Sequence, residues 1–228
     1  MKMTMQRVPE PELMDAPDQV QAYSEADFAE SNRLFVDQLL HMPSVLQFQT
    51  RPVRLIDLGC GPGDICLRLA WQRPDWTIQG VDAGANMLKS AEAAARLQSM
   101  NNRVEFKFAH LPDPSLPQQH YQIVLSNSLL HHLPDPSVLW NSIKQLGATG
   151  ASVQVMDLER PASEDQADQL VQRYAEHAPD VLKQDFFNSL KAAWTLDEVQ
   201  AQVRAAGLTL EVQRISDRHW IAQGQLDH

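Results

Sequence analysis

Apolar positions recur along this chain with two periods, and between residues 53 and 158 the two alternate regularly. Val53–Leu58 (VRLIDL) is a short apolar run between Pro52 and Gly59, which predicts a buried strand. Asp64–Trp71 reads as a helix that stops before Pro74. Trp76–Val81 predicts a second strand, ended by Asp82. Asn86–Leu97 places Met87, Ala91, Ala94 and Leu97 on one helical face. Arg103–Phe108 and Gln122–Ser126 follow as strands, Pro136–Leu146 as a helix ending near Gly147, and Ala151–Leu158 as a fifth strand. Strands that alternate with helices predict a mostly parallel sheet covered on both faces.

The rhythm is absent at both ends. Residues 1 to about 19 read as a Pro-containing arm, and residues 20–41 as helical, with Ser31-Asn32 as the point of interruption. Residues 160–193 predict two helices with no strand between them. Thr195-Leu196-Asp197-Glu198 fits a capping box opening a further helix. Residues 208–213 alternate apolar and polar, a half-buried strand, and 218–223 follow closely enough for a hairpin. The organisation predicted is an N-terminal arm and helix over 1–50, then one α/β domain over 51–228 carrying a helical, lid-like insert at about 160–193.

Composition narrows the function. A chain of 228 residues with 43% hydrophobic and 21% charged residues suits one large globular unit. A net charge of −10 and no Lys/Arg-rich run disfavour nucleic acid and anionic membrane surfaces as partners. No run approaches the ~18 apolar residues of a membrane span. The first residues lack the apolar core of a signal peptide. Cys60 and Cys66 are too few for a disulfide framework or a paired-cysteine zinc site, so a reducing cytoplasm is the expected location.

Of nine glycines, three (Gly59, Gly61, Gly63) fall within five positions, between the first strand and the first helix. A plain turn needs one; three at alternate positions point to a loop that lets a ligand approach the main chain. The Lys-Ser/Thr pair of a P-loop is missing, and Asp64 occupies the place of the third dinucleotide-fingerprint glycine. Asp57 and Asp64 flank the loop, and two carboxylates are poor neighbours for a pyrophosphate. They suit a cationic, phosphate-free ligand, and S-adenosylmethionine carries both a sulfonium and an ammonium. Asp82, at the end of the second strand, is placed to accept from both hydroxyls of a ribose.

These residues resemble a known family. LIDLGCGPGD (55–64), VDAGANML (81–88), IVLSNSLLHHLPDP (123–136) and VMDLERP (155–161) are together similar to the class I S-adenosylmethionine-dependent methyltransferases, in style closest to the type 11/12 domains and the quinone-biosynthesis methyltransferases. The resemblance implies a Rossmann-like, seven-stranded, mostly parallel sheet with helices on both faces and an antiparallel last strand. It implies that Asp57, Gly59 and Gly61 hold the methionine part of the cofactor, Cys60 touching it through its backbone. Asp82 would hold the ribose, Ala83 and Met87 would flank the adenine, and Asn127 would lie beside the methionine part. His110 stands where the family places an acid for the adenine amino group, so Ala109 or the His110 ring is left to serve. Asn127-Ser-Leu-Leu is not the Pro-Pro-containing tetrad of methyltransferases acting on base or glutamine amides.

Methyl transfer from a sulfonium needs mainly alignment, and a base only where the acceptor loses a proton. His131 and His132 are the nearest candidates for that role. As a metal pair they lack an acidic partner at ligand spacing, so no metal is expected. Arg173, Tyr174 and Phe186 of the 160–193 segment, with Tyr23 from the N-terminal helix, are the substrate-side candidates. The function predicted is methyl transfer to a small molecule, giving S-adenosylhomocysteine as product. A catalytically silent S-adenosylmethionine-binding module and an NAD-type oxidoreductase are the alternatives, and the sequence leaves the oligomeric state open.

Overall fold

The computed structural model describes residues 5–10, 15–25, 28–48 and 51–227. In chain order the elements are α1 (Pro17–Glu25), α2 (Ala29–Leu40), a one-turn α3 (Pro43–Leu46), β1 (Val53–Leu58), α4 (Asp64–Gln72), β2 (Trp76–Asp82) and α5 (Ala85–Leu97). They continue as β3 (Val104–Phe108), β4 (Tyr121–Asn127), α6 (Ser137–Leu146), β5 (Gly147–Leu158), α7 (Glu164–Ala175), α8 (Asp180–Ala192), α9 (Leu196–Ala205), β6 (Leu210–Arg214) and β7 (His219–Gln225). A single 3₁₀ turn, Leu130–His132, follows β4.

The strands form one sheet in the order β3-β2-β1-β4-β5-β7-β6. β1 to β5 are parallel, and β7 runs antiparallel between β5 and β6. This is the Rossmann-like architecture that the sequence predicts. Alternate residues of β1 explain its two covered faces. Leu55 joins a core with Phe35 and Leu39 of α2, Leu69 of α4 and Leu88 of α5. Ile56 joins the opposite core with Leu139 and Ile143 of α6, Val199 and Val203 of α9, and Trp220. Each such side chain, fully withdrawn from water, contributes about 1.5–3 kcal/mol.

From β1 the chain winds outward to β2 and β3, then returns to place β4 on β1's other side. The crevice at the carboxyl ends of β1 and β4 is therefore the topological switch point, where open α/β sheets bind ligands.

Two boundaries differ from the sequence reading. The N-terminal helical run starts at Pro17, a residue preorganised for a first helical turn, and divides between Glu25 and Ala29. Ser31 and Asn32 lie inside α2, because their polar groups find partners there. The Ser31 hydroxyl donates to the Phe28 carbonyl at 3.1 Å, and Asn32 Nδ2 donates to Asp64 Oδ2 at 2.7 Å. β5 also begins earlier, at Gly147, with a register irregularity against Tyr121 and Ile123. Among the described residues, no helix is long and apolar enough to cross a membrane.

Candidate active site

The loop after β1 is built by left-handed backbone. Gly59, Gly61 and Gly63 have φ of 75°, 51° and 84°. At Gly59 a side chain is barred twice, since a Cβ would also stand 2.9 Å from Leu129 Cδ1. The Gly59 and Cys60 amides donate to the Val81 carbonyl at 2.8 and 3.0 Å, which ties the loop to the end of β2. Asp82 completes the tie: its Oδ2 accepts from the Gly61 amide at 2.8 Å, its Oδ1 from the Gly84 amide at 2.7 Å. Burial raises the Asp82 carboxyl above its ordinary value, and these amides partly offset that.

Above the loop lies a cavity of about 420 Å³. Its wall brings together Asp57, Gly59, Cys60, Gly61, Asp82, Ala83, Met87, Ala109, His110 and Asn127, every cofactor-side residue inferred from sequence. Asp57 is almost fully buried. Its Oδ2 accepts from the Cys66 thiol at 3.4 Å, while its Oδ1 has no hydrogen-bond partner. Burial pushes its carboxyl from 3.8 up to about 6; the Cys66 contact lowers it and the Asp82 charge raises it further. A buried carboxylate oxygen without a donor is a place for a ligand cation. Asn127 Oδ1, at the end of β4, is likewise buried and without a hydrogen-bond partner. The Ala109 amide is committed to the Asp82 carbonyl at 3.0 Å and is not open to a ligand.

Asp64 has another task. Its Oδ2 accepts from Arg68 Nε at 2.5 Å and from Asn32, so its charge is met within the protein. The preference for a cationic ligand therefore rests on Asp57 and Asp82.

The cover comes from the N-terminus. Tyr23 of α1, Phe28, and Ala29 and Asn32 of α2 line the cavity. The Tyr23 and Phe28 rings lie 4.6 Å apart, and the Tyr23 hydroxyl is pushed up to about 12 by burial, with the charges of Asp82, Asp157 and Asp64 adding to it. None of residues 160–193 lines the cavity. Arg173 and Tyr174 instead face outward and both bind Asp217 Oδ2, at 2.9 and 2.8 Å, on the β6–β7 turn. Phe186 packs in a small separate core with Leu158, Ala167, Val171 and Leu190. The helical face of α7 that reads as a substrate wall is thus an outer buttress, because its polar residues have partners on the hairpin.

His131 and His132 part company in the 3₁₀ turn. His131 is buried and sits behind the wall, with Nδ1 2.5 Å from Asp157 Oδ1 and its amide 3.1 Å from Asp157 Oδ2. His132 lines the cavity. The acidic partner that their sequence neighbourhood lacks is Glu10, from the N-terminal arm. Glu10 Oε1 stands 3.4 Å from His131 Nε2 and 3.2 Å from His132 Nδ1, and accepts from the Ser189 hydroxyl at 3.0 Å. One donor atom from each of Glu10, His131 and His132 lies within 4.8 Å of the others, close enough to share a cation. The two imidazole rings, however, are stacked 4.1 Å apart and tilted by 37°, so a common ion would lie out of the plane of at least one ring.

Burial alone would lower the His131 pKa, but the Asp157 charge and hydrogen bond, with Glu10, raise it above its ordinary value. Asp157 is lowered for the complementary reason, His131 overcoming its burial. No periodicity links residue 10 to residue 131, so nothing local in the sequence could have paired them.

The fold and this site define a class: residues 50–207 match the family model described as a methyltransferase domain, and the chain belongs to that family. Its cofactor is S-adenosylmethionine, and the unpartnered Asp57 Oδ1, the glycine loop and Asp82 fit that cofactor's ammonium, main-chain approach and ribose. The chain is 28% identical over 164 residues to the 27-O-demethylrifamycin SV methyltransferase of Amycolatopsis mediterranei, covering 69% of this chain and 54% of that one. It is 30% identical over 112 residues to the ubiquinone biosynthesis O-methyltransferase of Cronobacter sakazakii, 48% of this chain and 44% of that one. A putative S-adenosylmethionine-dependent methyltransferase from Methanococcus maripaludis shares the fold with a TM-score of 0.71 at 15% identity, covering 97% of this chain and 98% of that one. The chain spans little more than half the length of the first of these curated relatives, and less than half of the second.

Proposed function

We propose that this protein transfers the methyl group of S-adenosylmethionine to a small-molecule acceptor by in-line displacement. The observation that carries this is the buried Asp57 carboxylate with an unpartnered oxygen, beside the glycine loop that Asp82 ties down. Bound there, the cofactor supplies an electrophilic methyl carbon on a good leaving group. Asp57 holds the ammonium, Asp82 the ribose hydroxyls, and Asn127 Oδ1 accepts from the methionine part. Tyr23, Phe28, Leu129 and Leu133 give the rest of the wall an apolar character that excludes water.

His132, on that wall, takes the proton of an acceptor that must lose one, which suits a hydroxyl or amine oxygen or nitrogen and an acidic carbon. The net charge of −10 and a cavity of about 420 Å³ favour a metabolite over nucleic acid. Residues 51–228 are the catalytic domain, and Tyr23, Phe28, Ala29 and Asn32 of the preceding segment cover its cavity. The two buried free cysteines suit a reducing cytoplasm.

Calorimetry and thermal-shift measurements with S-adenosylmethionine, S-adenosylhomocysteine and NAD test the cofactor, followed by a metabolite panel read by S-adenosylhomocysteine release. Stabilisation by the first two ligands and not by NAD is expected, and stabilisation by NAD alone would sink the proposal. Asp82→Ala removes most of the affinity; unchanged binding would mean the ribose lies elsewhere.

A further inference from the structure

Two charged groups on the cavity wall, Asp64 and Arg68, have no share in holding the ammonium or the ribose. We infer that Arg68 receives the carboxylate of the cofactor's methionine part, that Asp64 is the positioning residue that aims it, and that the pair makes this chain prefer S-adenosylmethionine to its decarboxylated form. The inference rests on the S-adenosylmethionine reading of the cavity.

The methionine part is a zwitterion, with an ammonium and a carboxylate on one carbon. Partners for both must therefore stand at one end of the cavity. Asp57, the proposed partner of the ammonium, bonds α4 through the Cys66 thiol at 3.4 Å. Asp64, Ile65 and Arg68 of the same helix line the cavity. Helical side chains lean toward the helix N-terminus, so Arg68, one turn beyond Asp64, extends back toward the glycine loop. A carboxylate brought in beside Asp57 and Asp82 needs a cation or donors of its own. Of the lysines and arginines among the described residues, only Arg68 lines the cavity.

Arg68 is held so that it can serve. Its Nε donates to Asp64 Oδ2 at 2.5 Å, and Asn32 Nδ2, from α2, donates to the same oxygen at 2.7 Å. Among the described residues, Arg68 Nη1 and Nη2 have no hydrogen-bond or ion-pair partner. A guanidinium fixed through Nε presents its Nη1–Nη2 edge, a fork that matches the two oxygens of a carboxylate. Asp64 does not cancel that cation, because it stands in the first turn of α4, where the positive end of the helix also meets its charge. The Arg68 and Asp64 side chains are 33% and 45% exposed, and an i,i+4 pair so open to water adds little to stability. The acid that replaces the third dinucleotide-fingerprint glycine is thus explained by orientation of a cation rather than by folding.

Calorimetry on the full-length protein at about pH 7.5 tests this without knowledge of the acceptor. It compares S-adenosylhomocysteine with decarboxylated S-adenosylhomocysteine, which keeps the adenosine and the amine. The wild type should favour the first by roughly 10- to 100-fold, the range of a charge-assisted contact. Arg68→Gln should remove that preference by weakening S-adenosylhomocysteine alone, the decarboxylated ligand staying within about twofold of its wild-type affinity. Arg68→Lys, which keeps the charge and loses the fork, should restore part of the preference. Asp64→Ala should narrow the preference without weakening the decarboxylated ligand. Equal binding of the two ligands by the wild type, or a preference that survives in Arg68→Gln, would overturn the inference and leave the guanidinium to the acceptor. A loss shared by both ligands in Asp64→Ala would give Asp64 to the ammonium and overturn its positioning role. A wild type that binds neither ligand would instead refute the cofactor reading on which the inference stands.

Discussion

Replacing Asp57 by asparagine should make the ligand-free protein more stable and the cofactor complex weaker. The carboxyl is shifted from 3.8 to about 6 because it is buried beside the Asp82 charge. Between those values the folded chain binds a proton that the unfolded chain has released, so stability falls as pH rises through that window. At pH 7.5 the whole cost is present. A shift of about two units at 1.36 kcal/mol each corresponds to ~3 kcal/mol. In Asp57→Asn the amide oxygen still accepts from the Cys66 thiol, but the amide NH₂ takes the place of an oxygen with no partner, at a cost of about 1–2 kcal/mol. A net gain of about 1–2 kcal/mol remains.

Urea unfolding of the ligand-free variant at pH 7.5 measures that gain directly, and each kcal/mol raises the melting midpoint by about 2–4 °C in a domain of this size. Against it stands loss of the charge-assisted contact proposed between Asp57 and the cofactor ammonium, worth about 1.5–3 kcal/mol, or roughly 10- to 100-fold in S-adenosylhomocysteine affinity by calorimetry. Wild-type affinity should fall about tenfold between pH 8 and pH 5, because the Asp57 proton must leave before the ammonium can enter, and the variant should lose that dependence. A variant less stable than wild type, or one that binds with wild-type affinity, would show that Asp57 is a structural acid and not a strained binding group.

Other perturbations probe the frame around it. Gly59→Ala places a Cβ at φ 75° and 2.9 Å from Leu129, which should cost about 1–3 kcal/mol in chemical unfolding and weaken cofactor binding; a neutral result would mean that the loop can shift without penalty. His219, in β7, is lowered from 6.5 to about 4 by burial and by Arg218. The unfolded chain therefore takes up this proton first, so stability is full above pH 6.5 and falls toward pH 4 by about 3 kcal/mol, an acid sensitivity that His219→Asn should remove when unfolding is followed against pH. Arg160 is buried, donating to the Ala193 carbonyl at 2.8 Å, the Met5 carbonyl at 2.9 Å and Glu198 at 2.7 Å, so Arg160→Ala should cost about 2–3 kcal/mol and raise hydrogen exchange in residues 5–10; unchanged protection there would show the arm to be anchored by other contacts.

The parts of this site that sequence makes legible are those whose physics is local. A strand of alternating Leu55, Ile56, Asp57 and Leu58, followed by three glycines that the backbone needs at positive φ, announces its own geometry within ten residues. Asp82 is legible because a strand end is readable, and the sheet edge follows from strand order. What depends on long-range pairing is not. Asp64 carries the same charge as Asp57 in sequence, yet Arg68 and Asn32 consume it. Arg173 and Tyr174 sit on an amphipathic helix whose exposed side could face a substrate or solvent, and only the partner Asp217, on the distant hairpin, decides between them. Residue 10 meets residue 131 only because the arm crosses the carboxyl edge of the folded sheet.

That crossing gives the arm a hand on both ends of the cavity. Glu10 reaches the histidines after β4, while Asp15 Oδ1 accepts from the Asn86 and Met87 amides at 2.8 and 3.3 Å, at the first turn of α5 on the adenosine side. Between and beyond them, α1 and Phe28 supply the roof. The floor is different in kind: β1, β2 and β4 are the interior of a seven-stranded sheet with apolar cores on both faces. Among the described residues the arm is held by the Arg7, Met5 and Val8 hydrogen bonds, the Glu10 and Asp15 carboxylates and one guanidinium–indole contact, against apolar cores on both faces of the sheet, so hydrogen exchange in residues 5–10 should be faster than in β1 and β4.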